Sequence, residues 1–209
     1  MTRKLINFLR PAVKGNVFFD VGANVGSYTL SLAKDAKQVY SFEASARNFK
    51  TLENFVKCAG CSNVEGINRA VSERSGEEIR LFTSPDTVGN YSQFHDFGKG
   101  FETATTVTLD KFVQEKHVNR VDVIKIDIEG RECGDFRVAQ RILQRDHPLL
   151  LVEFNALMTG SADWKLSTLN DLFLTCDYKS YELRRGCLPC GSAFLFQPDF
   201  HLRTFLTIP

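Results

Sequence analysis

The chain has 209 residues, the size of one domain, and its hydrophobic fraction of 43% is enough for an ordinary buried core. Its 26 basic and 25 acidic residues nearly cancel, which argues against a general nucleic-acid or membrane-surface binder. No stretch reaches the roughly 18 apolar residues of a membrane span. The opening run from Met1 to Arg10 is too short in apolar residues for a secretion signal, so a cytoplasmic location is expected.

Taken in chain order, the pattern is strand and helix in alternation. That predicts an α/β fold with a mostly parallel sheet and helices on both faces. Asn16 to Asp20 is an apolar run closed by an acid and reads as a buried strand. Gly22 to Gly26 is a tight turn. Ser27 to Lys34 spaces Tyr28, Leu30, Leu32 and Ala33 as a helix does. Gln38 to Glu43 is the second strand. Ser45 is placed to cap a helix running to about Cys58, with Phe49, Leu52, Phe55 and Val56 on one face. Asn63 to Asn68 is the third strand.

The middle is less regular. Glu78 to Phe82 alternates like an edge strand, and Ser84 to Phe101 reads as a long loop of the kind that serves as a lid. Thr105 to Thr108 is a short strand and Leu109 to Lys116 a helix. Val121 to Asp127 is a β-branched strand, again closed by an acid. A helix from about Gly134 to Gln144 and a buried strand from Pro148 to Phe154 follow. Asp163 to Cys176 reads as a helix. Tyr178 to Arg184 and Ser192 to Gln197 read as a closing strand pair. The whole is expected to be a single domain over residues 1–209.

The turn Asp20-Val-Gly-Ala-Asn-Val-Gly26 sits between a predicted strand and a predicted helix. Glycine lets a backbone approach a ligand closely. A pyrophosphate-binding turn would carry three glycines and no preceding acid. Two glycines behind Asp20 suit instead the ammonium and sulfonium charges of S-adenosylmethionine. The plain alternative is a glycine turn with Asp20 as a helix cap. Glu43 closes the second strand 23 residues after Asp20, where a carboxylate can accept from both hydroxyls of a ribose.

Several segments together resemble the FkbM-type methyltransferases. They are Val17 to Leu30, Tyr40 to Ala44, Asn68 to Ser72, Val107 to Asp110, Ile124 to Gly130 and Leu151 to Phe154. Their order and spacing match over about residues 16–185. The resemblance implies a class I methyltransferase Rossmann-like fold with a seven-stranded sheet whose last strand inserts antiparallel. It implies S-adenosylmethionine as methyl donor and a hydroxyl of a small molecule, sugar or glycan as acceptor. Carried over, Asp20, Gly22, Asn24 and Gly26 line the methionine end. Glu43 holds the ribose, and Asn68, Arg69 and Ala70 lie near the adenine. Ala44 stands where the family usually has proline after the acid, and Arg131-Glu132 replaces its usual Ala-Glu.

For the reacting centre, Asp127 and Glu129 flank the end of the strand that closes at Asp127, and Glu153 and Asn155 end the next. Asp127 is read as a general base or as an anchor for the methionine ammonium. A minority reading gives Asp127, Glu129, Glu153 and Asn155 to Mg²⁺, which would lower the pKa of an acceptor hydroxyl. The bland alternative has Glu129 as a helix cap and Glu153 in an ion pair. His95 in the long loop is a further candidate base. Cys58-Ala-Gly-Cys61 and Cys187-Leu-Pro-Cys190 have zinc-like spacing, but the topology separates them and reduced thiols are expected. Two other functions are weighed against this one: a nicotinamide-dependent oxidoreductase, and a non-catalytic binding or assembly module.

Overall fold

The computed structural model describes residues 2–83, 91–92, 100–127, 136–154, 178–183 and 192–198. Helix α1 (Thr2–Val13) leads into strand β1 (Val17–Val21), helix α2 (Ser27–Leu32), strand β2 (Gln38–Phe42), helix α3 (Ala46–Cys58) and strand β3 (Val64–Ile67). Four strands come next: β4 (Ala70–Val71), β5 (Glu78–Thr83), β6 (Tyr91–Ser92) and β7 (Phe101–Val107). Helix α4 (Leu109–Glu115), strand β8 (Val123–Ile126), a 3-10 turn (Phe136–Ala139) and helix α5 (Gln140–Asp146) lead to β9 (Leu149–Phe154). Strands β10 (Tyr178–Leu183) and β11 (Ser192–Pro198) complete the fold.

Seven strands form one sheet in the order β10-β11-β9-β8-β1-β2-β3. From β9 to β3 every neighbour pair is parallel, while β11 runs antiparallel to both β9 and β10. This is the mostly parallel, seven-stranded sheet that the strand pattern and the resemblance implied. Both faces are covered, so successive residues of a central strand are all buried and go to opposite sides. Phe18, Val39 and Val123 lie in one row and pack with Leu5, Leu9 and Val13 of α1 and with Tyr28 and Leu32 of α2. Phe19, Ile124 and Leu150 lie in the next row and pack with Phe112 and Val113 of α4 and Ile142 and Leu143 of α5.

Aromatic packing fixes α4 on its face. The Phe112 ring meets Phe19, Tyr40 and Phe42 edge to face, at centroid distances of 5.8, 5.3 and 4.8 Å. Thr108 caps α4 by accepting from the Lys111 amide. Asp110 in turn accepts from the Arg141 and Ile142 amides, so one helix caps the next.

The structure departs from the sequence expectations in several places. Residues 2–13 form a helix whose Leu5, Ile6, Leu9 and Val13 are buried; it ends where Gly15 takes a positive φ of 74°. Within the span read as a loop, Tyr91–Ser92 pairs with β5. The segment read as a short strand is the seven-residue β7, and β5 is not an edge strand of the main sheet but an inner strand of a second sheet, ordered β4-β7-β5-β6. Of the helix expected from about Gly134 to Gln144, Phe136–Ala139 is a 3-10 turn, and α5 begins at Gln140. The helix expected over Asp163 to Cys176 lies outside the described residues. Among the described residues no helix is long and apolar enough to cross a membrane.

Phe112→Ala removes the ring that three other aromatics pack on. A loss of about 3–5 kcal/mol of unfolding free energy is expected, read from denaturant melts.

Candidate functional site

The C-terminal ends of β1, β2 and β8 lie side by side, and polar residues collect there. Asp20, Ser41 and Lys125 occupy one row across these three strands, on the face covered by α2. Every one of them is buried, with Asp20 at 0% and Lys125 at 2% exposure. The row is joined through Thr29 of α2. Ser41 Oγ and Thr29 Oγ1 are 2.7 Å apart, and Thr29 Oγ1 donates to Asp20 Oδ2 at 2.7 Å. The Thr29 amide donates to the same oxygen at 3.0 Å. Asp20 therefore caps the first turn of α2, which has no side-chain cap of its own.

Asp20 Oδ1 lies 3.2 Å from Lys125 Nζ. This is an ion pair without the alignment of a hydrogen bond, and Oδ1 has no hydrogen-bond donor among the described residues. The Asp20 carboxylate faces Thr29 through Oδ2 and Lys125 through Oδ1.

The glycine turn follows. Gly22, Asn24 and Gly26 all take positive φ, at 71°, 52° and 95°. A Cβ on Gly26 would sit 2.5 Å from Leu52 Cδ1, so this position needs glycine for space as well as for conformation. The turn is tied to β2: the Gly22 and Ala23 amides both donate to the Phe42 carbonyl, at 3.0 and 2.9 Å. The Asn24 amide donates to Glu43 Oε2 at 2.7 Å, and the Ser45 amide to Glu43 Oε1 at 2.9 Å.

Each Glu43 oxygen thus has one backbone partner and lone pairs to spare. Glu43 is 8% exposed, and burial pushes its carboxyl above the ordinary value of 4.5. The Ser45 and Asn24 amides and the Lys125 charge pull it partly back, while Asp20 adds to the rise. Beside it, Ser45 caps α3 by accepting from the Asn48 amide. Glu102 of the second sheet reaches the same helix end, accepting from Ser45 Oγ at 3.1 Å and from the Ala46 amide at 3.0 Å.

Asn68 donates through Nδ2 to the carbonyls of Glu43 at 2.9 Å and Ala44 at 3.2 Å. It pins the segment after β2 and leaves its Oδ1 as the accepting end. Arg69 is exposed and lies 3.8 Å from Glu115, while Ala70 is buried in β4 against Leu81 and Ala104. Asp127 follows β8. Its amide donates to the Val21 carbonyl at 3.1 Å, its side chain is 38% exposed, and Oδ2 lies 3.9 Å from Lys125 Nζ. Glu129, His95 and Asn155 lie outside the described residues, as does the side chain of Glu153. Among the described residues no cluster of three metal-ligating side chains occurs. Cys58 and Cys61 are free thiols; Cys187 and Cys190 are outside the described residues.

The structure brings Asp20, Gly22, Asn24, Gly26, Glu43, Asn68 and Asp127 to one end of the sheet. Sequence reasoning assigned no role to Lys125, Thr29, Ser41 or Glu102. Lys125 carried a signal: it stands inside the apolar run Val123 to Ile126, and a lysine on a strand covered on both faces must find a counter-charge.

Two outcomes follow. A carboxyl whose pKa is raised on folding holds its proton more tightly in the native state. Its stabilising contribution is complete below pH 4.5 and is lost as pH climbs through the folded value. The stability of Glu43→Gln relative to wild type should therefore improve as pH rises from 4.5 to neutrality, measured by denaturant midpoints. Gly26→Ala should cost about 1–3 kcal/mol in the same assay, because the new methyl meets Leu52 and φ is unfavourable.

Comparison with known proteins agrees with this geometry. The Methyltransferase FkbM domain matches residues 20–180. The chain is 26% identical over 149 residues to the hexuronic acid methyltransferase AglP of Haloferax volcanii, covering 71% of this chain and 59% of that protein. It is 28% identical over 120 residues to the uncharacterized protein L320 of Acanthamoeba polyphaga mimivirus, covering 54% and 47%. The fold is similar to that of a methyltransferase FkbM from Methylobacillus flagellatus KT, with a TM-score of 0.61 at 18% identity over 87% of this chain and 43% of that one. It is also similar to SMU.1697c of Streptococcus mutans, a putative methyltransferase in complex with SAH, with a TM-score of 0.60 at 11% identity over 93% and 96%. The chain spans about half the length of the curated relatives it matches. A family match over most of its length, carried by a seven-stranded sheet with a glycine turn beside Glu43, places the chain in the FkbM methyltransferase family.

Proposed function

We propose that the chain binds S-adenosylmethionine over the glycine turn and transfers its methyl group to a hydroxyl oxygen of a saccharide or a similar small molecule. One observation carries the cofactor reading. Glu43 is held at the end of β2 by the Asn24 amide of the glycine turn and by the Ser45 amide. Each oxygen keeps accepting capacity, and the two are suited to the two adjacent hydroxyls of a ribose. The Asn68 oxygen is an acceptor suited to an adenine amine.

Bound S-adenosylmethionine supplies a methyl group on a positively charged sulfur, so the protein has little bond activation to perform. Its residues align the acceptor and take a proton. Asp127 is the partly exposed carboxylate at this end of the sheet. With S-adenosylmethionine bound, it would take the proton that the acceptor hydroxyl gives up on methylation. A saccharide acceptor is supported by the hexuronic acid methyltransferase among the relatives. Glu129 and His95 stand as further candidate bases.

Calorimetry with S-adenosylhomocysteine tests the site. Wild type should bind, and Glu43→Ala should bind about 10–100-fold more weakly through the lost hydrogen bonds. Asp127→Asn should keep its affinity within about three-fold and lose about 100-fold in methyl transfer to uronic acid glycosides. A loss of affinity instead would make Asp127 the anchor of the methionine ammonium. A wild-type protein that does not bind S-adenosylhomocysteine sinks the reading.

A further inference from the structure

Lys125 is the polar group that methyl transfer as described above does not use, and it is costly to keep. Its ammonium is buried in the middle of the sheet at 2% exposure. Apolar residues in place of the Lys125–Asp20 pair would cost the fold less than two desolvated charges.

The ammonium has three protons to give, and its contacts are specific. Lys125 Nζ donates to the Gly22 carbonyl at 2.8 Å and to the Val21 carbonyl at 3.3 Å. Asp20 Oδ1 faces it at 3.2 Å and Asp127 Oδ2 at 3.9 Å. The Tyr28 ring lies 5.1 Å away.

The two carbonyls belong to the peptide units on either side of Gly22. The amides of those same units, on Gly22 and Ala23, both donate to the Phe42 carbonyl. A trans peptide points its carbonyl and its amide in opposite directions. Each plane is therefore gripped at both ends, by β2 on one side and by Lys125 on the other. Gly22 has the widest backbone freedom in the turn, and it is the residue so clamped. The next free amide along the chain is that of Asn24, which orients Glu43.

We propose that Lys125 is a positioning residue of the cofactor site: its ammonium locks the two peptide planes around Gly22 and so sets where Asn24 presents Glu43. Asp20 holds the ammonium in place by charge. The inference rests on the reading of this turn and Glu43 as the S-adenosylmethionine site.

The test separates fold stability from ligand affinity. Lys125→Met leaves the Asp20 carboxylate buried without its cation and lowers the melting temperature, which alone says nothing about position. Asp20→Asn with Lys125→Met removes both charges and should recover much of that melting temperature. Its affinity for S-adenosylhomocysteine should stay at least about ten-fold below that of Asp20→Asn alone, where the lysine still grips the turn. Equal affinity in the double variant and in Asp20→Asn would reduce Lys125 to a counter-ion and overturn the proposal.

A measurement on the wild type stands beside it if the double variant does not fold. The Lys125 ammonium, shielded from exchange, should give a nitrogen NMR signal that moves on saturation with S-adenosylhomocysteine. A signal that the ligand leaves in place overturns the proposal. Failure of the wild type to bind S-adenosylhomocysteine at all is a different result, and counts against the cofactor reading.

Discussion

The structure turns on one buried carboxylate. Asp20 sits at the end of the central strand in a row where its neighbours, Ser41 and Lys125, are also polar. Burying such groups is unfavourable unless each finds a partner. The row meets that condition through Thr29, which links Ser41 to Asp20, and through Lys125, which faces the other oxygen. Helix α2 is docked by this contact as well as by its apolar residues. The lysine passes the constraint on to the turn above.

Backbone amides at the starts of strands and helices are satisfied repeatedly by acidic side chains. Asp122 accepts from the Val17 amide, Asp146 from Val121, Glu102 from Ala46 and Asp110 from Arg141 and Ile142. Acidic side chains are therefore recurrent structural ties in this fold. Glu43 differs because one of the two backbone amides that fix its oxygens comes from the glycine turn. Asp127 differs because its carboxylate is partly open to solvent.

The second sheet is coupled to this end of the molecule. Glu102 on β7 bonds to the N-terminus of α3, two residues beyond Glu43. Ala44 packs with Ala70, Leu81 and Ala104 in a small cluster beneath it. The segment after Glu43 is thus held by Asn68 and by the second sheet.

The sequence by itself determined the alternation of strands and helices, the glycine turn and the Ser45 cap. Each depends on residues near one another in the chain: apolar spacing, glycine at strained backbone positions, a hydroxyl before a helix. It also placed Asp20, Glu43 and Asp127 at strand ends, because a strand's end follows from its own apolar run. Only the tertiary structure decided where those carboxylates face. Lys125 meets Val21 and Gly22 from over a hundred residues away in the chain, and β7 meets α3 across more than fifty. Period-two alternation tells which side of a strand a residue occupies, but not which helix covers that side or which strand lies next to it. Asp20 was legible as an acid at the right place; that it spends its charge on a lysine of β8 was settled by packing.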